Sequence, residues 1–561
     1  MARYIVTSAL PYVNGVKHLG NLIGSMLPAD IFARYLRQQG EDVLAICGTD
    51  EHGTACEISA LEEGMPVAEY AEKYYAIQKH IYERFGLSFD WFGRTSSPQN
   101  HAMTQHLFKR LHENGYVESR TCAQIYCVAC KRFLPDRFIV GACPKCEYER
   151  ARGDQCESCA SLLDPADLLE ARCAICNGRQ LERQESDQLF LLLPKLSDRV
   201  DQWVETKEGY WPRPTLGIAR KWIAEGLRER CITRDLEWGI PVPLEGFENK
   251  VFYVWFDAPI GYIGISMEWA KRIGDPDAWK KYWKDPETRL VQFLAKDNVP
   301  FHTVTWPATM MGADDGFVLA DMVKGFEYLN YEDGKFSTSQ NRGIFTDQAL
   351  ELFPADVWRY CLCVLAPERR DTDFSWESFE TALNKDLADT LGNFVNRGIT
   401  FVTKYFDGVV PAPQPDGDPE RQVKAALETA IRDGREAMGS YHLGRSVRVM
   451  RDFWQACNRY FDARAPWRQR KEDLAACGST LNCAVHLARA AAILAAPYIP
   501  FTAENIFRQL QLEPATVHKV SWDAALEFGA LREKPVGPAA PLFEKVRRER
   551  LDALRARFAG K

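Results

Sequence analysis

At 561 residues the chain is long enough for several domains with their own cores, and 46% hydrophobic with 26% charged residues is an ordinary globular composition. No apolar run is long enough to span a membrane, and a formal net charge of −7 argues against a protein that coats nucleic acid indiscriminately. A core strand opens at Arg3, so no signal or transit peptide is expected ahead of the fold, and the expected compartment is the cytoplasm.

The first predicted element is a strand over the apolar run 4–10. A glycine-bearing turn, Pro11-Tyr12-Val13-Asn14-Gly15, separates it from Leu19, Ile23, Met26, Leu27, Ile31 and Tyr35, which recur at helical spacing until Gly40. Residues 43–47 read as a second strand, which completes a βαβ nucleotide unit. His18 opens the helix, where unpaired backbone N–H groups and the positive end of the dipole suit a polyphosphate. Cys47-Gly48-Thr49-Asp50-Glu51-His52-Gly53 lies at the end of the second strand, and ligands of such sheets gather at the carboxyl ends of strands.

Cysteine usage marks the next segment, about 118–230. Eight of the 17 cysteines form four Cys-x-x-Cys pairs: Cys127/Cys130, Cys143/Cys146, Cys156/Cys159 and Cys173/Cys176. Two such turns supply the four thiolates of a tetrahedral Zn²⁺, so four pairs suit two structural zincs; disulfides or free thiols are the alternative, less suited to a cytosolic chain. Nested and sequential pairings both satisfy the spacing. Cys47, Cys56, Cys361 and Cys483 sit in apolar surroundings and read as core.

The sheet is expected to resume at about Cys231, with short buried strands at 252–256 and 291–295, and to close near Met322. Residues 323–388 carry Gly334-Lys335-Phe336-Ser337-Thr338-Ser339. Long helices follow at 386–405, 418–438, 443–461 and 474–496, punctuated by Pro411, Pro413 and Pro497, and they read as a helical bundle. On the first of them Asn393 and Arg397 stand four apart on one face. Pro466-Trp467 is expected on a loop after the third, beside the basic residues Arg464, Arg468, Arg470 and Lys471, which can equally be a solvated face. Residues 545–557 read as a terminal helix.

Four of these segments, in order, carry a resemblance. His18-Leu19-Gly20-Asn21 and Lys335-Phe336-Ser337-Thr338-Ser339 resemble the "HIGH" and "KMSKS" signatures of class I aminoacyl-tRNA synthetases. Trp255-Phe256-Asp257-Ala258-Pro259-Ile260-Gly261-Tyr262 and Phe301-His302-Thr303-Val304-Thr305-Trp306-Pro307 resemble the methionyl-tRNA synthetases in particular, and the likeness runs from Tyr4 to about Phe543. It implies an α/β fold: a class I synthetase Rossmann-like catalytic domain with a zinc-knuckle insertion, followed by an all-α anticodon-binding helical bundle. The implied divisions are 1–117 and 231–322 for the two catalytic halves, 118–230 for the connective insertion, 323–388 for the loop domain, 389–540 for the bundle and 541–561 for a C-terminal helix.

The reaction implied is attachment of methionine to tRNA(Met), for initiation and elongation of translation. The amino-acid carboxylate attacks the α-phosphate of ATP, and the terminal ribose hydroxyl of tRNA then attacks the acyl-adenylate, with release of AMP and diphosphate. Such chemistry rests on positioning and charge stabilisation. The resemblance gives catalytic roles to His18, Asn21, Lys335, Thr338 and Arg234, and ATP contacts to His18, Gly20, Asn21, Lys335, Ser337, Thr338 and Ser339, with Mg²⁺ accompanying ATP. Asn21 departs from the usual second His, and an amide is still a competent donor.

Methionine would lie among Leu10, Tyr12, Asp50, Trp255, Ala258, Pro259, Tyr262, Phe301, His302 and Trp306, where aromatic rings receive a polarizable thioether at about 0.3–1.5 kcal/mol per contact. Asp50 would hold the ammonium group; a helix cap is its plainer role. Asn393, Arg397, Pro466 and Trp467 would read the anticodon, with Trp467 stacking a base; packing at a helix start is the alternative. Cys143, Cys146, Cys156 and Cys159 match the family's zinc knuckle, which leaves Cys127, Cys130, Cys173 and Cys176 for a second site.

Thr338 stands where the family has its second Lys, and Arg342 can fold back to supply the missing charge, or Lys335, Mg²⁺ and backbone amides can suffice. A monomer is expected. Two other readings are compatible with the chain: a sister synthetase for cysteine, leucine, isoleucine or valine, and a catalytically silent zinc-bearing RNA-binding descendant. The first is disfavoured because the branched-chain enzymes carry a large editing insertion where this chain has cysteine knuckles.

Overall fold

The computed structural model describes residues 1–153, 163, 167–337 and 340–560. Its centre is a five-stranded, all-parallel sheet in the spatial order Ala320–Phe326, Arg289–Ala295, Arg3–Ser8, Asp42–Thr49, Trp91–Arg94. The register sets Tyr4 between Arg289 and Val43, and the inner strands are buried, as expected of a parallel sheet covered on both faces. From Arg3–Ser8 the chain builds outward to Asp42–Thr49 on one side and later to Arg289–Ala295 on the other. The order therefore reverses beside the first strand, and its carboxyl end forms the crevice where open α/β sheets bind ligands.

The helix predicted after His18 is continuous from Leu19 to Gln38, with a π-helical turn at Leu22–Met26 between α-helical stretches. Of residues 252–256, expected as a strand, only Phe252 is in one. Extended pairing stops at Val251–Phe252, Tyr253 caps the next element in an extended conformation, and Val254–Arg272 is a 19-residue helix. The run Val-Phe-Tyr-Val-Trp-Phe has high strand propensity, but burial of Phe256, Ile260 and Ile263 at helical spacing overrides it.

Val117–Cys127 pairs antiparallel with Leu181–Leu191 over its full length, Val117 opposite Leu191 and Cys127 opposite Leu181. This long ladder carries the cysteine-rich tip away from the sheet. The tip has a small apolar cluster of its own around Leu134, Phe138, Ile139 and Leu168.

The C-terminal part is helical: Asn393–Tyr405, Asp418–Gly439, Leu443–Arg464 and Leu474–Ala495. Every residue of the last from Cys477 onward is buried, so it forms the axis of the bundle; its many alanines let neighbouring helices approach on all sides. No helix among the described residues is long and apolar enough to cross a membrane. The final helix, Arg548–Phe558, begins three residues later than expected and packs back on the loop segment around Glu332 and Glu377.

Candidate active site and its relatives

A cleft of about 500 Å³ opens at the carboxyl ends of the Arg3–Ser8 and Arg289–Ala295 strands, within the size range of small-molecule sites. One end is aromatic. Trp255 stacks on Phe301 with ring centroids 3.9 Å apart and meets Tyr12 edge-on at 6.3 Å. The Tyr262 hydroxyl lies 2.9 Å from His302 Nε2, and His302 Nδ1 lies 2.9 Å from the Asn298 carbonyl. Burial depresses His302 to about pH 4, so it is neutral at pH 7. With Nδ1–H donating to the Asn298 carbonyl, Nε2 must accept from the Tyr262 hydroxyl. A π-helical turn at Phe301–Thr305 aims His302 inward.

Leu10, Tyr12, Asp50, Trp255, Ala258, Pro259, Tyr262 and His302 all line this cleft, although they come from four separate stretches of chain. Phe301 and Trp306 do not. They line a smaller adjoining cavity and support the wall, Phe301 beneath Trp255 and Trp306 beside Tyr262 at 5.8 Å.

Asp50 is placed by a parallel bridge to Tyr12, with Asp50 N–H donating to the Pro11 carbonyl at 2.9 Å and Val13 N–H to the Asp50 carbonyl at 3.1 Å. The residue is 4% exposed, and its Oδ1 has no hydrogen-bond partner among the described residues. Burial, then the nearby Asp257 and Glu51, raise it well above the usual carboxylate range. A buried carboxylate in that state is a receptor for a cationic group. Neighbouring Asp257 already has a partner: its Oδ2 is 2.7 Å from His52 Nδ1.

The other end of the cleft is the His18 turn facing Lys335. The His18 ring is depressed to about pH 4, first by burial and then by Lys17, and stacks at 4.5 Å on Phe336. The chain after the Lys335 segment zips onto this turn: Leu19 N–H donates to the Ile344 carbonyl at 3.1 Å and Thr346 N–H to the Lys17 carbonyl at 2.8 Å. Asn21 Oδ1 accepts from His18 N–H at 3.2 Å, which leaves its NH₂ as a donor on the cleft wall. A Cβ at Gly20 would come within 3.3 Å of the Leu329 carbonyl and 3.0 Å of the His18 ring, so a larger residue would press on both.

Three expected residues fall elsewhere. Ser337 is off the cleft wall, in a bridge to Arg342; Thr338 and Ser339 lie outside the described residues. Arg234 does not reach the cleft: its strand pairs with Val251–Phe252, and its guanidinium lies 3.9 Å over the Tyr253 ring. Arg342 does not turn toward the cleft. It donates to the carbonyls of Ala559 at 2.9 Å, Tyr331 at 3.0 Å and Glu332 at 2.8 Å, because the C-terminal helix end supplies orphan acceptors there.

Sequence reasoning missed Lys17, Asp297, Asn298 and Glu327 to Asn330, all on the cleft wall. The last two sets directly follow the Arg289–Ala295 and Ala320–Phe326 strands, and that strand-end position was a usable signal.

In the insertion, Cys127, Cys130, Cys173 and Cys176 bring their sulfurs within 4.8 Å of one another. The Cys127–Cys176 and Cys130–Cys173 separations are 3.6 and 3.7 Å, close to the ~3.8 Å edge of a tetrahedron with Zn–S bonds of about 2.3 Å. The set can hold a zinc ion, and the outer pairs are nested around Cys143 and Cys146. Cys156 and Cys159 lie outside the described residues.

In the bundle, Arg397 pairs with Asp462 at 3.0 Å, and its guanidinium lies 5.2 Å from the Trp467 ring, so the two segments meet; Asn393 is exposed one turn away. Trp467 is on a short helix, Pro466–Glu472, not a loop, because Pro466 is pre-set for a first helical turn after Ala465 in the left-handed region. Pro466 is buried. Arg464 is bound to Glu420 at 3.1 Å, and Arg470 lies over Tyr405.

The family model described as tRNA synthetases class I (M) matches residues 4–399, and the model for the anticodon binding domain of methionyl tRNA ligase matches 410–561. Curated relatives include a methionine–tRNA ligase 1 of Acaryochloris marina, 48% identical, and a methionine–tRNA ligase of Streptomyces avermitilis, 46% identical, each alignment covering all of both chains. Among solved structures, Mycobacterium tuberculosis methionyl-tRNA synthetase in complex with methionyl-adenylate superposes with a TM-score of 0.79 at 25% identity, covering 97% of this chain and all of that one.

Proposed function

This chain belongs to the methionyl class I tRNA synthetases, and from that premise we propose how its residues divide the work. The enzyme joins methionine to tRNA(Met) at the expense of ATP, by way of methionyl-adenylate, and releases AMP and diphosphate. One observation carries the assignment of the site: a single cleft at the sheet's switch point joins an aromatic chamber, with a buried carboxylate at its edge whose Oδ1 has no partner among the described residues, to a helix N-terminus bearing His18 and facing Lys335.

In this reading the methionine thioether lies among Tyr12, Trp255, Pro259, Tyr262 and His302, and its ammonium meets Asp50. In the Tyr262–His302 pair the hydroxyl proton and the Nδ1 proton are both already used, which suits an apolar sulfur. His18, the Asn21 amide and Lys335 take the phosphates of ATP; neutral His18 donates a proton-bearing nitrogen to charge that grows as the carboxylate attacks the α-phosphate. Asp297, Asn298 and the stretch from Glu327 to Asn330 border the remaining space and suit the nucleoside. Mg²⁺ enters with ATP and neutralises its phosphates. Zinc at Cys127, Cys130, Cys173 and Cys176 is structural, and Cys143, Cys146, Cys156 and Cys159 hold a second ion. Asn393, Arg397, Pro466 and Trp467 present the anticodon-reading face. The enzyme acts in the cytoplasm as a monomer.

The test is amino-acid-dependent exchange of labelled pyrophosphate into ATP. Exchange with methionine, and at least about 100-fold less with cysteine, leucine, isoleucine and valine, is expected; equal exchange with any of these overturns the pocket assignment.

A further inference from the structure

Lys17 precedes His18 and lines the same cleft. Its carbonyl accepts from both Thr346 N–H and Thr346 Oγ1–H, at 2.8 and 2.9 Å, which fixes the backbone from which the side chain projects. The ammonium donates to the side chain of Asn14, an exposed residue, and has no carboxylate hydrogen-bonded to it among the described residues. It is electrostatically coupled to both ends of the site: Asp50 favours its charge, and it in turn disfavours a charge on His18. Burial lowers its own pKa to about 7. Two buried polar atoms of the same cleft, His18 Nδ1 and Asp50 Oδ1, lack partners among the described residues, as in a site built for a ligand.

A charge count gives Lys17 its role. Among the described residues lining the cleft, Lys17 and Lys335 are the Lys and Arg side chains, against the carboxylates of Asp50, Asp297 and Glu327. The position at which a second loop lysine would stand is Thr338, and Arg342 is committed to three carbonyls. A polyphosphate bound against His18 thus meets one loop cation, and pyrophosphate leaves with more negative charge than one lysine balances.

We propose that Lys17 is a further catalytic residue of adenylate formation, its ammonium contacting the ATP phosphates from the His18 side while Lys335 contacts them from the loop. The proposal rests on the cleft reading above.

The experiment is single-turnover formation of methionyl-adenylate by Lys17→Met and Lys17→Arg, with methionine affinity measured separately by equilibrium titration of intrinsic fluorescence. Lys17→Met is expected to slow adenylate formation at saturating ATP by at least about 10-fold, with methionine affinity changed by less than about 3-fold; Lys17→Arg recovers most of the rate. Transfer of methionine from preformed adenylate to tRNA should proceed at the wild-type rate in both. A Lys17→Met enzyme at wild-type rate overturns the proposal. So does a loss confined to methionine affinity, which would place the ammonium on the amino-acid carboxylate. The retained methionine titration guards against misfolding, and methionine-dependent exchange by the wild type, measured in parallel, separates failure of this proposal from failure of the cleft reading.

Discussion

Trp467 is 36% exposed, buried on one side against Phe461 and Arg397 and open on the other. A tryptophan whose only role was packing would bury more of its large apolar surface. Held by Pro466 at a helix start, its open face suits the base stack proposed for it. Trp467→Ala is therefore expected to reduce charging of tRNA by about 10- to 100-fold, the loss of a base stack of about 1–3 kcal/mol, while methionine-dependent pyrophosphate exchange stays within about 2-fold. Measuring both half-reactions decides it; equal losses in the two would make Trp467 a structural residue. Sequence was a good guide to single residues where backbone order constrained them. His18, Gly20 and Asn21 follow a strand and open a helix, so their place at a crevice could be read directly. Arg234 and Arg342 could not be placed that way, since a long side chain goes where acceptors or rings lie, and the Tyr253 ring and the Ala559 carbonyl are set by remote folding.

The element at which local sequence and metal meet is the hairpin of Val117–Cys127 and Leu181–Leu191. Its ladder is long, but among the described residues beyond Cys127 the tip buries a small cluster around Leu134, Phe138, Ile139 and Leu168, little apolar surface for a unit that folds alone. A zinc ion at Cys127, Cys130, Cys173 and Cys176, which can hold one, would supply the difference. Protein prepared without chelator is expected to contain about two zincs by elemental analysis, and Cys173→Ser to lose about one. In that variant, hydrogen exchange should accelerate from Cys127 to Leu181 and remain slow in the Arg3–Ser8 and Arg289–Ala295 strands. Zinc-free protein with a protected tip would sink this account. Elements of this kind were legible because Cys-x-x-Cys spacing has few physical solutions. The helix Val254–Arg272 was not, for its first turn is written in strand-forming residues and only tertiary burial makes it helical. The π-turns at Leu22–Met26 and Phe301–Thr305 were equally hidden, because one extra residue in a turn leaves no mark on a 3.6-residue period read over a short window.

At the scale of the whole molecule, the synthetic cleft and the anticodon-reading bundle must hold a fixed relation, and one buried arginine spans the junction. Arg359, fully buried on the helix Ala355–Val364, donates to Asp30 Oδ2 at 2.6 Å, to the carbonyls of Pro497 and Tyr498 at 2.8 Å each, and to the Phe85 carbonyl at 3.2 Å. Asp30 belongs to the helix that starts at the His18 turn, and Pro497 and Tyr498 end the bundle's axial helix. Burial would raise the Asp30 carboxyl, but Arg34 and Arg359 hold it down at about 2, helped by hydrogen bonds from Ser88. Because its folded pKa is depressed, the stability this carboxylate contributes is complete above about pH 4 and is lost as pH falls from about 4 toward 2. At neutral pH, Arg359→Met strands part of the Asp30 charge and three carbonyls, and is expected to cost about 3–5 kcal/mol in urea unfolding. Asp30→Asn alone should also destabilise, yet the double variant should lose less than the sum, with a coupling of at least about 1 kcal/mol, since neither charge is then left unpaired. A coupling below about 0.5 kcal/mol would mean that Arg359 acts through the backbone carbonyls alone. The functional counterpart is a larger fall in tRNA charging than in pyrophosphate exchange for Arg359→Met, because adenylate formation needs the cleft intact, whereas charging also needs the bundle held at its proper distance from it.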